Sequence, residues 1–78
     1  MNSPQPGKIY DGYDAAADGR PASANPHVPE TSDYYFWHAA WCRAMRAAAV
    51  KARDHRSAQQ YEKLAENYFR MAKDAGAL

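Results

Sequence analysis

The chain has 78 residues and a formal net charge of +1, which bounds it to one small domain and excludes a multi-domain enzyme and a full nucleotide-binding α/β fold. Its hydrophobic fraction is 46%, but 17 of those residues are Ala, so ten aromatics and three Met must supply most of the core. The charge is divided: residues 1–33 carry two basic and five acidic side chains (−3), residues 34–78 eight and four (+4).

Residues 1–7, with Pro4, Pro6 and Gly7, read as a disordered lead-in to a single helical domain over residues 8–78. Residues 8–18 place Ile9, Tyr13, Ala16 and Ala17 at helical spacing and predict a short first helix. Gly19 is positioned to end it in the left-handed conformation, and Pro21 forbids its continuation. Gly12 inside this helix costs up to ~1 kcal/mol relative to Ala; it marks either close approach by another element or simple tolerance.

Residues 20–31 hold three prolines and form an extended linker, long enough to wrap across the helices. A long second helix is expected to begin near Thr31 to Asp33, all good N-cap types, and to run to about residue 53. Its apolar stripe is Trp37, Trp41, Ala44, Met45, Ala48 and Ala52. An amphipathic C-terminal helix is expected over residues 57–75, with Ser57 and Gln60 as a capping box and Gly76 as its stop. Its stripe is Tyr61, Leu64, Ala65, Tyr68, Phe69 and Ala72. On one straight helix the two stripes would point roughly 150° apart. Either the chain breaks near Arg53–Ser57 and folds back, which Ser57 favours, or a continuous helix offers its second stripe to another copy. The expectation is an all-α, three-helix protein.

No apolar run approaches the ~20 residues of a membrane span, and the N-terminus shows no signal-peptide pattern. Lone Cys42 forms no intramolecular disulfide, and a cytoplasmic location is expected. No catalytic set, phosphate loop or cofactor motif is visible, so the expectation is a non-enzymatic protein without a cofactor or small-molecule substrate. His38 and Cys42 are spaced i, i+4, but a zinc site needs three or four ligands, and His27 and His55 do not complete one.

The clearest electrostatic feature is a basic face, Arg43, Arg46, Lys51, Arg53 and Arg56, offset only by Asp54. Phosphate contact with RNA would use it and would be salt-dependent; a solvated helix face is the plainer alternative. Trp37, Trp41 and Met45 could stack on unpaired bases, but a core facing the first helix, with Tyr13 as packing partner, is favoured because few other residues can form one. Tyr61, Leu64, Tyr68 and Phe69 could bind a partner protein or a second copy, or pack onto the second helix.

Residues 12–45 contain Gly12, Tyr13, Ala15, Gly19, Arg20, Pro26, Trp37, Trp41, Ala44 and Met45 in an order that resembles the ribosome modulation factor family. That family shows a Gly-Tyr-x-Ala opening, a Gly-Arg pair, a Cys-Pro-Tyr turn and a Trp-x-x-x-Trp-x-x-Ala-Met helix. Here the turn reads Asn25-Pro26-His27, and the C-terminal helix, over residues 54–78, is additional to the family-like residues 8–53. The resemblance implies a small stress-response regulator of translation that binds rRNA or the ribosome in hibernation, and it adds Arg20 to the candidate RNA contacts. A protein–protein adaptor or inhibitor on the same scaffold is the alternative.

Overall fold

The computed structural model describes residues 8–76, with side chains from residue 11 onward. The expected lead-in over residues 1–7 and the placement of the Ile9 side chain lie outside the described residues. Three helices, α1 (Lys8–Ala17), α2 (Ser32–Lys51) and α3 (His55–Gly76), are joined by a linker containing a 3₁₀ turn (Ala22–Ala24) and by a tight corner. There is no strand among the described residues, and the protein is all-α, as its sequence leads one to expect. Helix α2 is central, and α1 and α3 each pack against it.

Helix α1 ends as expected. Gly19 takes φ +81°, its N–H bonds to the Ala16 carbonyl and the Arg20 N–H to the Ala15 carbonyl. These paired bonds satisfy carbonyls that the helix end would otherwise orphan. Thr31 caps α2: its hydroxyl oxygen accepts from the Tyr34 N–H at 3.2 Å and donates to the Val28 carbonyl at 2.7 Å. The linker between them is tied to α2 near its start and at its middle. Trp41 Nε1 donates to the Arg20 carbonyl at 2.9 Å, and Asn25 Nδ2 to the Tyr34 carbonyl at 3.0 Å.

The chain does break between the second and third helices. Arg53 adopts φ 63°, its N–H bonds to the Val50 carbonyl and the Asp54 N–H to the Ala49 carbonyl. This is the same paired-bond terminus as at Gly19, with Arg where Gly is the usual occupant. The cap of α3 is Asp54, not Ser57: the Asp54 carboxylate accepts from the Ser57 N–H at 3.1 Å. The helix accordingly starts at His55, two residues before the expected start, and Gly76 is its last residue.

Helices α2 and α3 run antiparallel, as their ring pairs show: Phe36 meets Phe69, Tyr35 meets Tyr68 and Trp41 meets Tyr61. The buried residues of α3 are Ala58, Ala65 and Ala72, seven apart. Small side chains on this seam let the helix backbones draw close, and the larger rings of both helices close over its edges.

The expected α2 stripe is corrected. Trp37 is buried, but Trp41, Ala44 and Met45 are half-buried and Ala48 and Ala52 exposed. The buried residues of α2 are Trp37, His38, Ala39, Ala40, Cys42 and Ala49. A helix with neighbours on two sides buries two separated strips rather than one. Tyr13, the expected packing partner of the Trp residues, remains 43% exposed. Gly12 and Ala15 make the α1 contact: both are buried, and a Cβ on Gly12 would overlap the Trp37 carbonyl group. Close approach, not tolerance, is the reason for this glycine.

Candidate nucleic-acid interface

The six basic residues singled out in the sequence are all exposed, but they fall into three settings. Arg20 lies at the end of α1 in a groove of about 340 Å³ that Asp11, Asp14, Asp18 and Pro26 also line, with Trp37 beside them. Its surroundings are acidic, so it is not continuous with the basic residues of α2.

Arg43 and Arg46 lie in a cleft of about 400 Å³ between the three helices, lined also by Tyr13, Glu62, Ala65 and Glu66. Arg46 Nε donates to Glu62 Oε1 at 3.3 Å. Both side chains are about half exposed, so the pair contributes at most ~1 kcal/mol. The Arg43 guanidinium carbon sits 5.2 Å from the centroid of the Phe69 ring, within cation–π range. Acidic residues from α3 thus face these arginines, and the cleft is mixed in charge rather than basic.

Lys51, Arg53 and Arg56 occupy the α2–α3 corner. None of the three makes an ion pair among the described residues. The nearest carboxylate in sequence, Asp54, is engaged as the cap of α3, and the hydroxyl and N–H of Ser57 hold its carboxyl below the usual range. That carboxylate also offsets the partial positive charge of the α3 N-terminus, so the positive charge of the corner comes from the three side chains. Anionic oxygens approaching here would meet three cations that have no ion-pair partner among the described residues, beside the one carboxylate of Asp54.

The aromatic candidates are mostly structural. Trp37 is 2% exposed and unavailable for stacking on a base. Trp41 and Met45 are half-buried; Trp41 meets the Tyr61 ring edge-on and donates to the linker. Of the expected partner-binding stripe, Tyr61, Tyr68 and Phe69 make ring contacts with α2, while Leu64 remains 42% exposed. The intramolecular alternative describes those three rings.

His38 lies within the core, stacked on Tyr68 at 4.9 Å and 18°, with the Tyr34 ring edge-on at 4.7 Å. Burial pushes its pKa below 6.5. Cys42 is buried one turn further on, and desolvation raises its thiol to about 11. No group of three or more His, Cys, Asp or Glu side chains suited to holding a metal occurs among the described residues. No described helix is long and apolar enough to cross a membrane.

Sequence reasoning missed Tyr13 as a cleft residue and Glu62 and Glu66 as the carboxylates opposite Arg43 and Arg46. The signal was weak: Glu62 and Glu66 share an α3 face through their i, i+4 spacing, but only the fold-back sets that face against α2.

Comparison with protein-family models, curated proteins and solved structures finds no match to this chain.

Proposed function

We propose that the protein is a non-enzymatic regulator of the ribosome modulation factor kind, binding rRNA on the ribosome through the α2–α3 corner. The observation that carries this reading is Arg53 in the left-handed conformation, exposed between Lys51 and Arg56. A non-glycine residue costs about 1–2 kcal/mol in that conformation, and Gly would relieve it. Strain retained at an exposed cation, in a cluster whose one carboxylate, Asp54, is engaged as the cap of α3, suits a phosphate-binding tip. The order of Gly12, Tyr13, Gly19, Arg20, Pro26, Trp37, Trp41 and Met45 supports the ribosomal target.

Co-sedimentation with ribosomes at low and high salt tests the reading. Binding should occur at low salt, weaken as salt rises, and be lost in the Lys51→Gln/Arg53→Gln/Arg56→Gln variant with helicity retained. Absence of co-sedimentation at low salt overturns it.

The adaptor reading has one specific observation behind it. Leu64 and Met71, seven apart on α3, are 42% and 45% exposed. Capture of a protein partner after nuclease treatment, lost on Leu64→Ser/Met71→Ser, would favour it over RNA binding.

A further inference from the structure

The three-helix cleft combines groups that the corner lacks. Tyr13 on α1 supplies a large ring, 43% exposed, at its edge. The backbone beneath that ring is fixed, because neighbouring Gly12 packs against the Trp37 carbonyl group. Arg43 is oriented by the Phe69 ring. Arg46 is oriented through Nε by Glu62, and its terminal amino groups make no hydrogen bond among the described residues. Glu66 lines the cleft and has no ion-pair partner among the described residues. The cleft therefore offers, within about 400 Å³, an aromatic face, guanidinium donors, one carboxylate already on Arg46 (Glu62) and one free carboxylate (Glu66).

We infer that this cleft takes one nucleotide unit carrying an exocyclic amino group. The phosphate goes to Arg43 and the terminal amino groups of Arg46, the base lies on Tyr13, and the amino group donates to Glu66. Guanidinium groups match phosphate oxygens; aromatic rings accept any base face; a carboxylate selects bases with an amino donor. A phosphate alone would use only the arginines and make no contact with Tyr13 and no hydrogen bond to Glu66 that offsets its repulsion. A uracil base offers no amino group. In a strand, the unit would lie roughly 10 Å along α2 from the corner, as Arg53 follows Arg46 by seven residues. In that form the inference rests on the RNA-binding reading; as a free-nucleotide site it stands apart from it.

NMR titration of the full chain with AMP, UMP and inorganic phosphate tests the assignment. AMP should bind more tightly than UMP or phosphate and shift Tyr13, Arg43 and Glu66 resonances. Tyr13→Ala should weaken AMP by about fivefold or more, the minimum expected from losing one stacked base, and leave phosphate binding unchanged. Glu66→Gln, which keeps the side-chain volume and an acceptor oxygen but loses the charge and gains a donor, should narrow the preference for AMP over UMP. Tighter binding of oligoadenylate than of AMP, lost in Tyr13→Ala, assigns the site to a strand; equal binding assigns it to free nucleotide. AMP no tighter than phosphate, or indifference of AMP and oligoadenylate to Tyr13→Ala in a variant of unchanged helicity, overturns the inference. Ribosome binding lost only in the corner variant, with a silent AMP titration, removes the cleft assignment alone. A cleft that binds AMP in a protein that never sediments with ribosomes removes the ribosome reading alone.

Discussion

Gly12 packs directly against the main chain of Trp37: a Cβ at residue 12 would overlap the Trp37 carbonyl oxygen and lie 2.9 Å from its carbonyl carbon. The obstructing atoms belong to helix backbone, so no side-chain rotation relieves the overlap. Gly12→Ala would gain up to ~1 kcal/mol of helix propensity. Against this, forcing α1 away from α2 costs about 1–3 kcal/mol by analogy with overpacked cores. Net destabilisation is expected, read as a lowered Tm by circular dichroism. A variant as stable as the parent would show that α1 shifts freely on α2.

Arg53 offers the opposite sign. It holds φ 63° at the end of α2, where Gly19, at the end of α1, holds φ +81°. Arg53→Gly is expected to stabilise the protein by about 1 kcal/mol, raising the midpoint of urea unfolding, while weakening ribosome co-sedimentation. Stability and binding moving in opposite directions would mark the side chain as retained for binding. Loss of both would place Arg53 in a structural role.

The helices themselves were legible because their ends are local. Thr31 caps through its own hydroxyl, and Gly19 carries the conformational freedom its position needs. The start of α3 was less legible because Arg53 supplies a positive φ with no glycine to announce it, and Asp54 outcompetes Ser57 as cap one turn earlier. The core was misread for a non-local reason. A helical wheel drawn for α2 alone shows one stripe, whereas α1 and α3 each bury a strip of it. Ala65 and Ala72 stand on the expected stripe of α3, and Ala58, which that stripe leaves out, completes the buried seam. The basic face was legible as charge and not as a surface. Glu62 reaches Arg46 from 16 residues further along the chain, which leaves the corner as the part whose cations make no ion pair among the described residues.

Trp41 couples the linker to α2 through the bond from Nε1 to the Arg20 carbonyl. Trp41→Phe keeps an aromatic ring to meet Tyr61 but removes the donor. A loss of about 0.5–1.5 kcal/mol is expected. Amide exchange should quicken in the linker over residues 20–25 more than in α3. Uniform acceleration throughout the chain would contradict this local role.

His38 predicts a pH dependence whose sign follows from its burial. In the unfolded chain it takes up a proton near its ordinary value of 6.5; in the folded chain desolvation moves that uptake to lower pH. Over the interval between the two values the unfolded state binds more protons, so stability falls as pH is lowered through it. The stability is fully present above about pH 6.5. His38→Phe retains a ring against Tyr68 and cannot titrate. Urea unfolding at pH 7.5 and pH 5 should show a smaller acid-side loss in the variant than in the parent. An identical loss in both would assign the acid sensitivity elsewhere.

Cys42 predicts how the α2–α3 seam opens. The side chain is 2% exposed and its thiol is raised from an ordinary 9.0 to about 11. The shift alone lowers the thiolate fraction near pH 8 by about a hundredfold, and burial denies a reagent access to what remains. Labelling by a thiol-specific disulfide reagent should therefore be at least about a hundredfold slower in native than in unfolded protein. It should accelerate with urea as α3 leaves α2. If the corner frays first, Ala58→Gly, at the corner end of the buried alanine seam, should speed labelling. Ala72→Gly lies at the far end of that seam, and a greater acceleration there would place the opening at the other end of the hairpin. Rapid labelling of the native parent without urea would mean that the seam does not seal Cys42.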